Sequence, residues 1–337
     1  MKTLQYLIWI LGILATMTAQ AGEHAIRIAH FPNITHAQAI LGQANGSFEK
    51  ALGRPVDWKV FNAGPAAMEA LMAGHLDIIY VGPNPAINAY IRSEGQALCV
   101  VAGASSGGAS LVIHPNSGIQ SDKDFGNKKI ATPQLGNTQD VAAREWLLSH
   151  GYQFQEKGGN VSILPIPNPE QLILFQKGQI DGAWAPEPWA TRLVQEAGGR
   201  RFLDERDLWP DRQFCTALVV VRKVFLATNP SLVKKFLRAH VEVTQWIKAN
   251  PSMAKRIINR EIGREIGKPL GDPLLEESWK WFDVTYDPLS TTLVKSADSA
   301  FHLGFLGKQK PNLSGICDLK LLNKVLEEQK LEPVKEQ

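Results

Sequence analysis

The sequence of 337 residues has few cysteines and little net charge. Its three cysteines, Cys99, Cys215 and Cys317, are far apart, which argues against a disulfide framework or a cysteine-based zinc site. We expect buried thiols or at most one bridge. The formal net charge of +3 is too small to indicate nucleic acid as a partner. Beyond the N-terminal segment no uninterrupted apolar run reaches the roughly 18 residues of a membrane-spanning helix.

The common catalytic and cofactor motifs are also missing. The sequence contains no P-loop, no H-E-x-x-H and no dinucleotide fingerprint. GASSG at 103–107 has the letters of G-x-S-x-G, but it joins two apolar runs that read as strands, whereas a nucleophile elbow lies between a strand and a helix. His30 and His36 lack a second ligand at metal spacing, which favours structural roles for both. We therefore predict a protein without enzymatic activity, cofactor or metal.

The N-terminus has the pattern of a secretory signal peptide. Lys2 precedes the apolar run YLIWILGILA, and Ala19-Gln20-Ala21 forms a small-x-small cleavage site. We predict a signal peptide over 1–21 that is cleaved after Ala21. No cysteine lies near this site, so a lipid anchor is not expected, and the mature chain should be exported in soluble form.

Two segments of the chain repeat each other. PAAMEALMAGHLD at 65–77 and PEQLILFQKGQID at 169–181 both begin with proline and end in Gly-x-x-Asp, which predicts a helix in each copy. A short apolar strand closed by Pro-x-Pro follows each helix, and further strand and helix patterns precede them. Each half therefore reads as β-α-β-α-β, which predicts an α/β protein with two lobes, each a mostly parallel sheet flanked by helices. Beyond about residue 220 the pattern becomes helical.

The apolar runs at 109–114 and 216–223 bracket the second half. If these runs pair side by side, the second lobe is an insertion in the first and the two crossings form a hinge. This gives predicted boundaries of 22–114 and 216–337 for lobe 1, which carries the helical C-terminal part, and 115–215 for lobe 2.

Ligands of open α/β sheets bind beyond the carboxyl ends of the strands, where helix N-termini present free N–H groups and partial positive charge. A small anion is the expected guest. The residues that we predict to contact it are Asn33, Thr35, His36, Asn62, Gly82, Asn84, Ser106, Gly108, Asn137, Thr138, Trp184 and Glu187.

Several of these candidates have structural alternatives. Thr35, Asn84, Asn137 and Thr138 can cap their helices instead of, or as well as, contacting a ligand, and Thr35 to Gln38 has capping-box spacing.

The segment WAPEPW at 184–189 contributes two further candidates. We favour Trp184, at a strand end, as a wall of the ligand site and assign Trp189 to the core. A carboxylate opposes anion binding, so we favour a structural role for Glu187, as a helix cap or as the partner of an arginine such as Arg192.

The strings YVGPNPAINAY, SGGASLVI, KKIATPQLGNTQDVAAREWL, IDGAWAPEPWA, DERDLWP and TYDPLS resemble the periplasmic substrate-binding proteins of ABC importers for nitrate, sulfonate and taurine. The chain is most similar to the aliphatic sulfonate-binding branch, over roughly residues 25–330. The resemblance implies a two-lobed periplasmic binding protein of type II that takes a small organic anion and delivers it to an ABC permease in the inner membrane. It implies a monomer in the periplasm. GPNP and GNTQ would face the ligand through Asn84, Asn137 and Thr138, and Trp184 to Glu187 would line the second lobe.

Members of the wider family also bind nitrate, bicarbonate or pyrimidine thiamine precursors, so the resemblance leaves the ligand open. A second function class is an enzyme of thiamine-precursor type on the same scaffold, but that family carries a cysteine cluster that is missing here. A soluble sensor that docks a receptor after closing is a third alternative to transport.

Overall fold

The computed structural model describes residues 25–335, so the predicted signal peptide lies outside the described residues. The chain forms two β-sheets. The strands are β1 Ile26–His30, β2 Val56–Val60, β3 Ile78–Val81, β4 Leu98–Gly107, β5 Ala109–Ile113, β6 Lys129–Thr132, β7 Ser162–Pro165, β8 Gly182–Pro186, β9 Arg200–Asp204, β10 Cys215–Arg222 and β11 Phe282–Val284.

Helices cover both faces of the two sheets. They are α1 Ala37–Asn45, α2 Ser47–Leu52, α3 Gly64–Met72, α4 Pro83–Arg92, α5 Thr138–Ser149, α6 Asn168–Gln176, α7 Trp189–Gln195, α8 Lys223–Thr228, α9 Pro230–Ala249, α10 Pro251–Ile266, α11 Asp272–Trp279, α12 Ser290–His302 and α13 Lys320–Glu328. Short 3-10 helices lie at Ile34–His36, Gln155–Lys157, Glu205–Leu208 and Pro210–Arg212. The repeated segments form the helix–strand pairs α3–β3 and α6–β8 that the sequence predicts.

Both sheets are mixed. The first has the order β11-β4-β10-β3-β1-β2 and the second β7-β6-β8-β5-β9. In the first sheet β1 pairs in parallel with β2 and β3, whereas β10 runs antiparallel to β3 and β4. In the second, β6 pairs in parallel with β7 and β8, whereas β5 runs antiparallel to β8 and β9. The predicted parallel core of each half is present, and the strands next to the crossings between the sheets add the antiparallel pairs.

The chain passes from the first sheet to the second between β4 and β5. Gly107 and Gly108 have φ of +73° and +82° there, a conformation that glycine adopts at little cost. The return crossing leads from β9 to β10 and lies beside the first, since the Gly107 N–H donates to the Phe214 carbonyl at 3.2 Å. The two crossings are therefore adjacent, as a hinge requires.

The runs at 109–114 and 216–223 do not pair with each other, so this condition for adjacent crossings is not met. Residues of β5 pair with β8 and β9 in the second sheet, and residues of β10 pair with β3 and β4 in the first. Both runs are apolar because each is buried inside its own sheet, so composition alone could not tell which strands they join. The change of sheet consequently falls at Gly108 rather than after residue 114.

Each sheet has apolar clusters on both faces. Helix α9 covers one face of the first sheet, where Val233, Phe236 and Leu237 join a cluster with Ile28 and Tyr80. Cys99 and Cys215 are buried thiols in the first sheet. Within residues 25–335 no helix is long and apolar enough to cross a membrane, and no cluster of histidine, cysteine and acidic side chains is arranged to hold a metal ion.

Candidate functional site

The carboxyl ends of strands from the two sheets face each other across a small cavity of about 30 Å³. Eight lining residues belong to the side of the first sheet: Phe31, Asn33, Thr35, His36, Gly64, Gly82, Pro85 and Thr216. Four belong to the side of the second: Asn137, Thr138, Gln139 and Pro186. The structure thus brings together Asn33, Thr35, His36, Gly82, Asn137 and Thr138 from the predicted set.

Helix N-termini surround this cavity. Thr35 lies in the 3-10 turn that leads from β1 into α1, Gly64 starts α3, Gly82 precedes α4, and Thr138 starts α5. The first N–H groups of a helix have no partner within the helix and carry partial positive charge. Four chain segments therefore contribute positive electrostatic potential to the same small cavity.

The two sides of the cavity come close together at Gly82 and Thr138. A Cβ atom on Gly82 would lie 2.3 Å from Oγ1 of Thr138. The φ of Gly82 is −67°, so it is this close approach and not the backbone conformation that requires glycine. A second link crosses the gap where the indole Nε1 of Trp189 donates to Oδ1 of Asn33 at 3.0 Å.

Two hydroxyl groups at the cavity are buried without a partner. Among the described residues, neither Oγ1 of Thr35 nor Oγ1 of Thr138 makes a hydrogen bond, although the residues are only 1% and 6% exposed. An unsatisfied buried polar group costs about 1 to 3 kcal/mol. One such hydroxyl on each side of a shared cavity indicates a binding site for a ligand with hydrogen-bonding atoms.

No lining side chain carries a charge. Burial, reinforced by neighbouring His30, holds the pKa of His36 well below its usual range, so its ring is neutral. Its Nδ1 accepts from the Phe31 N–H at 3.3 Å, which leaves the proton on Nε2. His36 is therefore a neutral donor at the cavity.

The loop before α5 is fixed by Asp140, which is fully buried. Its carboxylate accepts from the Gly136 N–H at 2.9 Å, from the Thr132 hydroxyl at 2.7 Å and from Nε of Arg144 at 3.0 Å. In return, the Asp140 N–H donates to Oδ1 of Asn137 at 2.8 Å, as the predicted cap requires. These bonds set the position from which Asn137 and its neighbour Thr138 face the cavity.

The capping box predicted at Thr35 does not form. Nε2 of Gln38 donates instead to the Ala104 carbonyl at 2.7 Å and ties α1 to β4. The Thr35 hydroxyl therefore has no bond to Gln38 and lies at the cavity without a partner among the described residues.

Glu187 lies behind the cavity wall. Its Oε1 accepts from Nη2 of Arg201 at 2.7 Å and its Oε2 from the Thr191 N–H at 3.2 Å. Burial raises the pKa of Glu187, and Arg201 opposes this shift. The acid is thus a cap and an ion-pair partner, but the predicted partner was wrong, because Arg192 bonds to Glu196 at 3.0 Å.

Neither tryptophan of WAPEPW lines the cavity, so the wall predicted for Trp184 is wrong, whereas the core position predicted for Trp189 is confirmed by its 3% exposure in an apolar cluster. Side chains alternate along β8, and Trp184 points into the core of the second sheet, where its indole donates to Oε2 of Glu205 at 2.7 Å. Trp184 does not line the cavity. Trp189, in the first turn of α7, is the tryptophan whose indole reaches across to Asn33.

Four further candidates lie outside the cavity. Asn62 is exposed, and Nδ2 of Asn84 donates to the Ser296 carbonyl at 3.0 Å, which anchors α12. Ser106 lines a different groove beside Trp279. Gly108 lies just beneath the cavity, where a Cβ would meet Cγ2 of Thr35 at 2.8 Å.

Sequence reasoning missed six lining residues: Phe31, Gly64, Pro85, Gln139, Pro186 and Thr216. Pro85, Gln139 and Pro186 belong to the strings GPNP, GNTQ and WAPEPW, so the motifs did indicate the correct turns. Thr216 could be found only once the crossing was known, because its hydroxyl donates to the Gly107 carbonyl of the other crossing segment.

Comparisons with known proteins agree with this architecture. A profile of the NMT1-like family matches residues 19–261. The taurine-binding periplasmic protein of Escherichia coli (strain K12) is 28% identical over 247 residues, which cover 72% of this chain and 73% of that protein.

Two solved structures share the fold. The alkanesulfonate-binding protein from Xanthomonas axonopodis pv. citri bound to MOPS superimposes with a TM-score of 0.72 at 17% identity, covering 86% of this chain and 97% of that one. The periplasmic nitrate-binding protein from Synechocystis PCC 6803 gives a TM-score of 0.72 at 15% identity, covering 90% and 88%. The predicted two-lobed α/β fold with a helical C-terminal region is confirmed.

Proposed function

Since the chain belongs to the NMT1-like family, we propose that it is the solute-binding component of an ABC importer and captures a small organic oxyanion. The preferred ligand class is an aliphatic sulfonate or a taurine-like compound. The observation that carries this proposal is the pair of unpartnered hydroxyls, Thr35 and Thr138, which face one cavity from opposite sheets. The similarity to a taurine-binding periplasmic protein supports the ligand class.

The chemistry of the cavity suits an oxyanion. A sulfonate offers three acceptor oxygens, and the cavity offers two hydroxyls, the Nε2–H of His36 and the N–H groups of helix N-termini. These dipoles can stabilise a negative charge without a cationic side chain, since hydrogen bonds to charged groups are worth about 1.5 to 3 kcal/mol each. Phe31, Pro85 and Pro186 supply apolar surface for the carbon portion.

The size of the cavity constrains the binding reaction. Its volume of about 30 Å³ is enough for two or three water-sized groups, at roughly 10 to 15 Å³ for each. A compact head group such as a sulfonate therefore fits between the closed edges. A longer guest requires the edges to separate, with the adjacent crossings at Gly107 and Phe214 as the hinge.

The cellular context follows from the same proposal. The predicted signal peptide over 1–21 would direct the chain to the periplasm, where it would act as a soluble monomer and pass its ligand to a permease. The periplasmic location given in the name of the taurine-binding relative supports this setting. The two lobes, one on each sheet, would close on the ligand. In this closed form they would present the surface that the permease recognises.

Titration calorimetry on the chain from Gly22 onward tests the proposal. We expect taurine or an alkanesulfonate to bind at one site per chain and to remain unchanged after long incubation. The buffer should be Tris, because sulfonate buffers such as MOPS would compete for the site. Binding of nitrate alone would change the ligand class, and failure of every sulfonate and of nitrate to bind would refute the proposal.

A further inference from the structure

The side chains around the cavity present mainly hydrogen-bond donors, because their acceptor atoms are already used within the protein. Oδ1 of Asn33 accepts from the Trp189 indole at 3.0 Å, and Oδ1 of Asn137 accepts from the Asp140 N–H at 2.8 Å. An amide whose oxygen is engaged in this way presents its NH₂ group to a guest.

The same pattern holds for the two other lining side chains with both a donor and an acceptor. Oε1 of Gln139 accepts from Nδ2 of Asn137 at 3.1 Å, and Nδ1 of His36 accepts from the Phe31 N–H at 3.3 Å. Gln139 is left with its amide nitrogen and His36 with its Nε2–H. The three lining threonines are the exception, because a hydroxyl keeps neutral lone pairs. The Thr216 hydroxyl donates to the Gly107 carbonyl, and the hydroxyls of Thr35 and Thr138 can donate or accept.

The cavity also offers no carboxylate to a cation. None of the twelve lining residues is acidic. Glu187 is the acid next to Pro186 in sequence, but both of its oxygens are bonded behind the wall, to Arg201 at 2.7 Å and to the Thr191 N–H at 3.2 Å. A guest's ammonium group would lose water there and meet N–H groups of partial positive charge.

We propose that the protein selects against ammonium-bearing zwitterions and that its ligand is an alkanesulfonate whose substituent is uncharged. The selection comes from the donor wall, which consists of Asn33, His36, Asn137 and Gln139, and from the lack of an acidic side chain among the lining residues. This inference rests on the proposed function, and it distinguishes between the two ligand classes that the proposed function allows, aliphatic sulfonates and taurine-like compounds.

Three two-carbon sulfonates measure the selection directly, because ethanesulfonate, isethionate and taurine differ only in a terminal hydrogen, hydroxyl or ammonium group. In calorimetry at pH 7 in Tris, we expect ethanesulfonate to bind at least about tenfold more tightly than taurine, since a buried charge without a partner is costly. Isethionate should stay close to ethanesulfonate. Equal or tighter binding of taurine would overturn the inference and leave the proposed function intact. If none of the three bound, the inference would fail, and the calorimetry with longer alkanesulfonates and nitrate would decide the proposed function separately.

A single substitution tests the role of the wall itself. Gln139→Glu keeps an acceptor for Nδ2 of Asn137 and replaces the donor Nε2 with a charged oxygen. We expect the ratio of taurine affinity to ethanesulfonate affinity to rise at least about tenfold, because the ammonium gains a partner and the sulfonate gains a repulsion.

The matched control is Gln179→Glu, which makes the same charge change at an exposed residue outside the cavity. It should leave the affinity ratio unchanged, and thermal denaturation should show that both variants are folded. An unchanged ratio in Gln139→Glu would contradict the assignment of Gln139 to the donor wall.

Discussion

Replacing Thr138 by valine tests whether the Thr138 hydroxyl contributes to ligand binding or to the stability of the fold. Valine has nearly the same shape and lacks only the hydroxyl. Oγ1 of Thr138 is buried and has no partner among the described residues. Because an unsatisfied buried group costs about 1 to 3 kcal/mol, its removal should leave the free energy of unfolding of the ligand-free protein unchanged or raise it.

The same change should weaken binding. A hydrogen bond from a hydroxyl to a charged oxyanion contributes about 1.5 to 3 kcal/mol, which corresponds to a roughly 10- to 150-fold rise in Kd. Calorimetry with ethanesulfonate measures the affinity, and urea unfolding without ligand measures the stability. Thr35→Val, on the opposite side of the cavity, should behave in the same way.

Thr244→Val is the matched control. Oγ1 of Thr244 is buried in α9 but satisfied, since it donates to the His240 carbonyl at 2.7 Å and accepts from Nε2 of Gln38 at 3.2 Å. This variant should lose about 1 kcal/mol of stability and keep its affinity. The reasoning is refuted if Thr138→Val keeps its affinity, or if it loses stability as the control does.

Three further changes test the surroundings of the cavity. Gly82→Ala would place a methyl group 2.3 Å from Oγ1 of Thr138 and hold the edges apart, so calorimetry should show an affinity loss of about tenfold or more; unchanged affinity would mean that the edges do not meet during binding. Glu187→Ala leaves Arg201 without its buried partner and should lower the free energy of unfolding in urea by about 3 to 5 kcal/mol, and a loss below about 1 kcal/mol would show that the pair is not structural. Burial raises the pKa of Glu205 from 4.5 to about 7, so its contribution to stability is complete below pH 4.5 and is lost as the pH rises through 7. Relative to Glu205→Gln, the wild type should therefore lose about 3 kcal/mol between pH 4 and pH 8 in urea unfolding, and parallel profiles would contradict the shift.

Local sequence signals located the helix starts around the cavity. The Asn137 cap depends on residues only three positions apart, and the spacing of Pro, Gly and Asp in the two repeats fixes α3 and α6 together with the strands that follow them. Such features are set within a few residues, so one sequence is enough to predict them. The two-lobed fold and the turns that carry Asn33, Thr35 and Thr138 were therefore accessible without coordinates.

Contacts between distant segments were not accessible in the same way. Arg201 lies on a strand whose register brings it to Glu187, whereas Arg192 is nearer in sequence but one turn away along α7. Whether Trp184 faces the cavity depends on the face of β8 that the core covers, and the sequence pattern of two tryptophans around Pro-Glu-Pro does not reveal this.

On the proposed function, the distribution of donors around the cavity would couple ligand binding to closure. Thr35 and His36 belong to one edge, Thr138 and Gln139 to the other, and each edge alone presents donors that water can satisfy when the edges are apart. In this structure Gly82 and Thr138 lie close together, and the hydroxyls of Thr35 and Thr138 have no partner among the described residues. On the proposed function, an oxyanion that spans both edges would give both hydroxyls a partner, so its binding would favour the closed arrangement. A ligand that reaches one edge alone would not favour closure, so the donors that bind the oxyanion would also link its capture to the shape that a permease recognises.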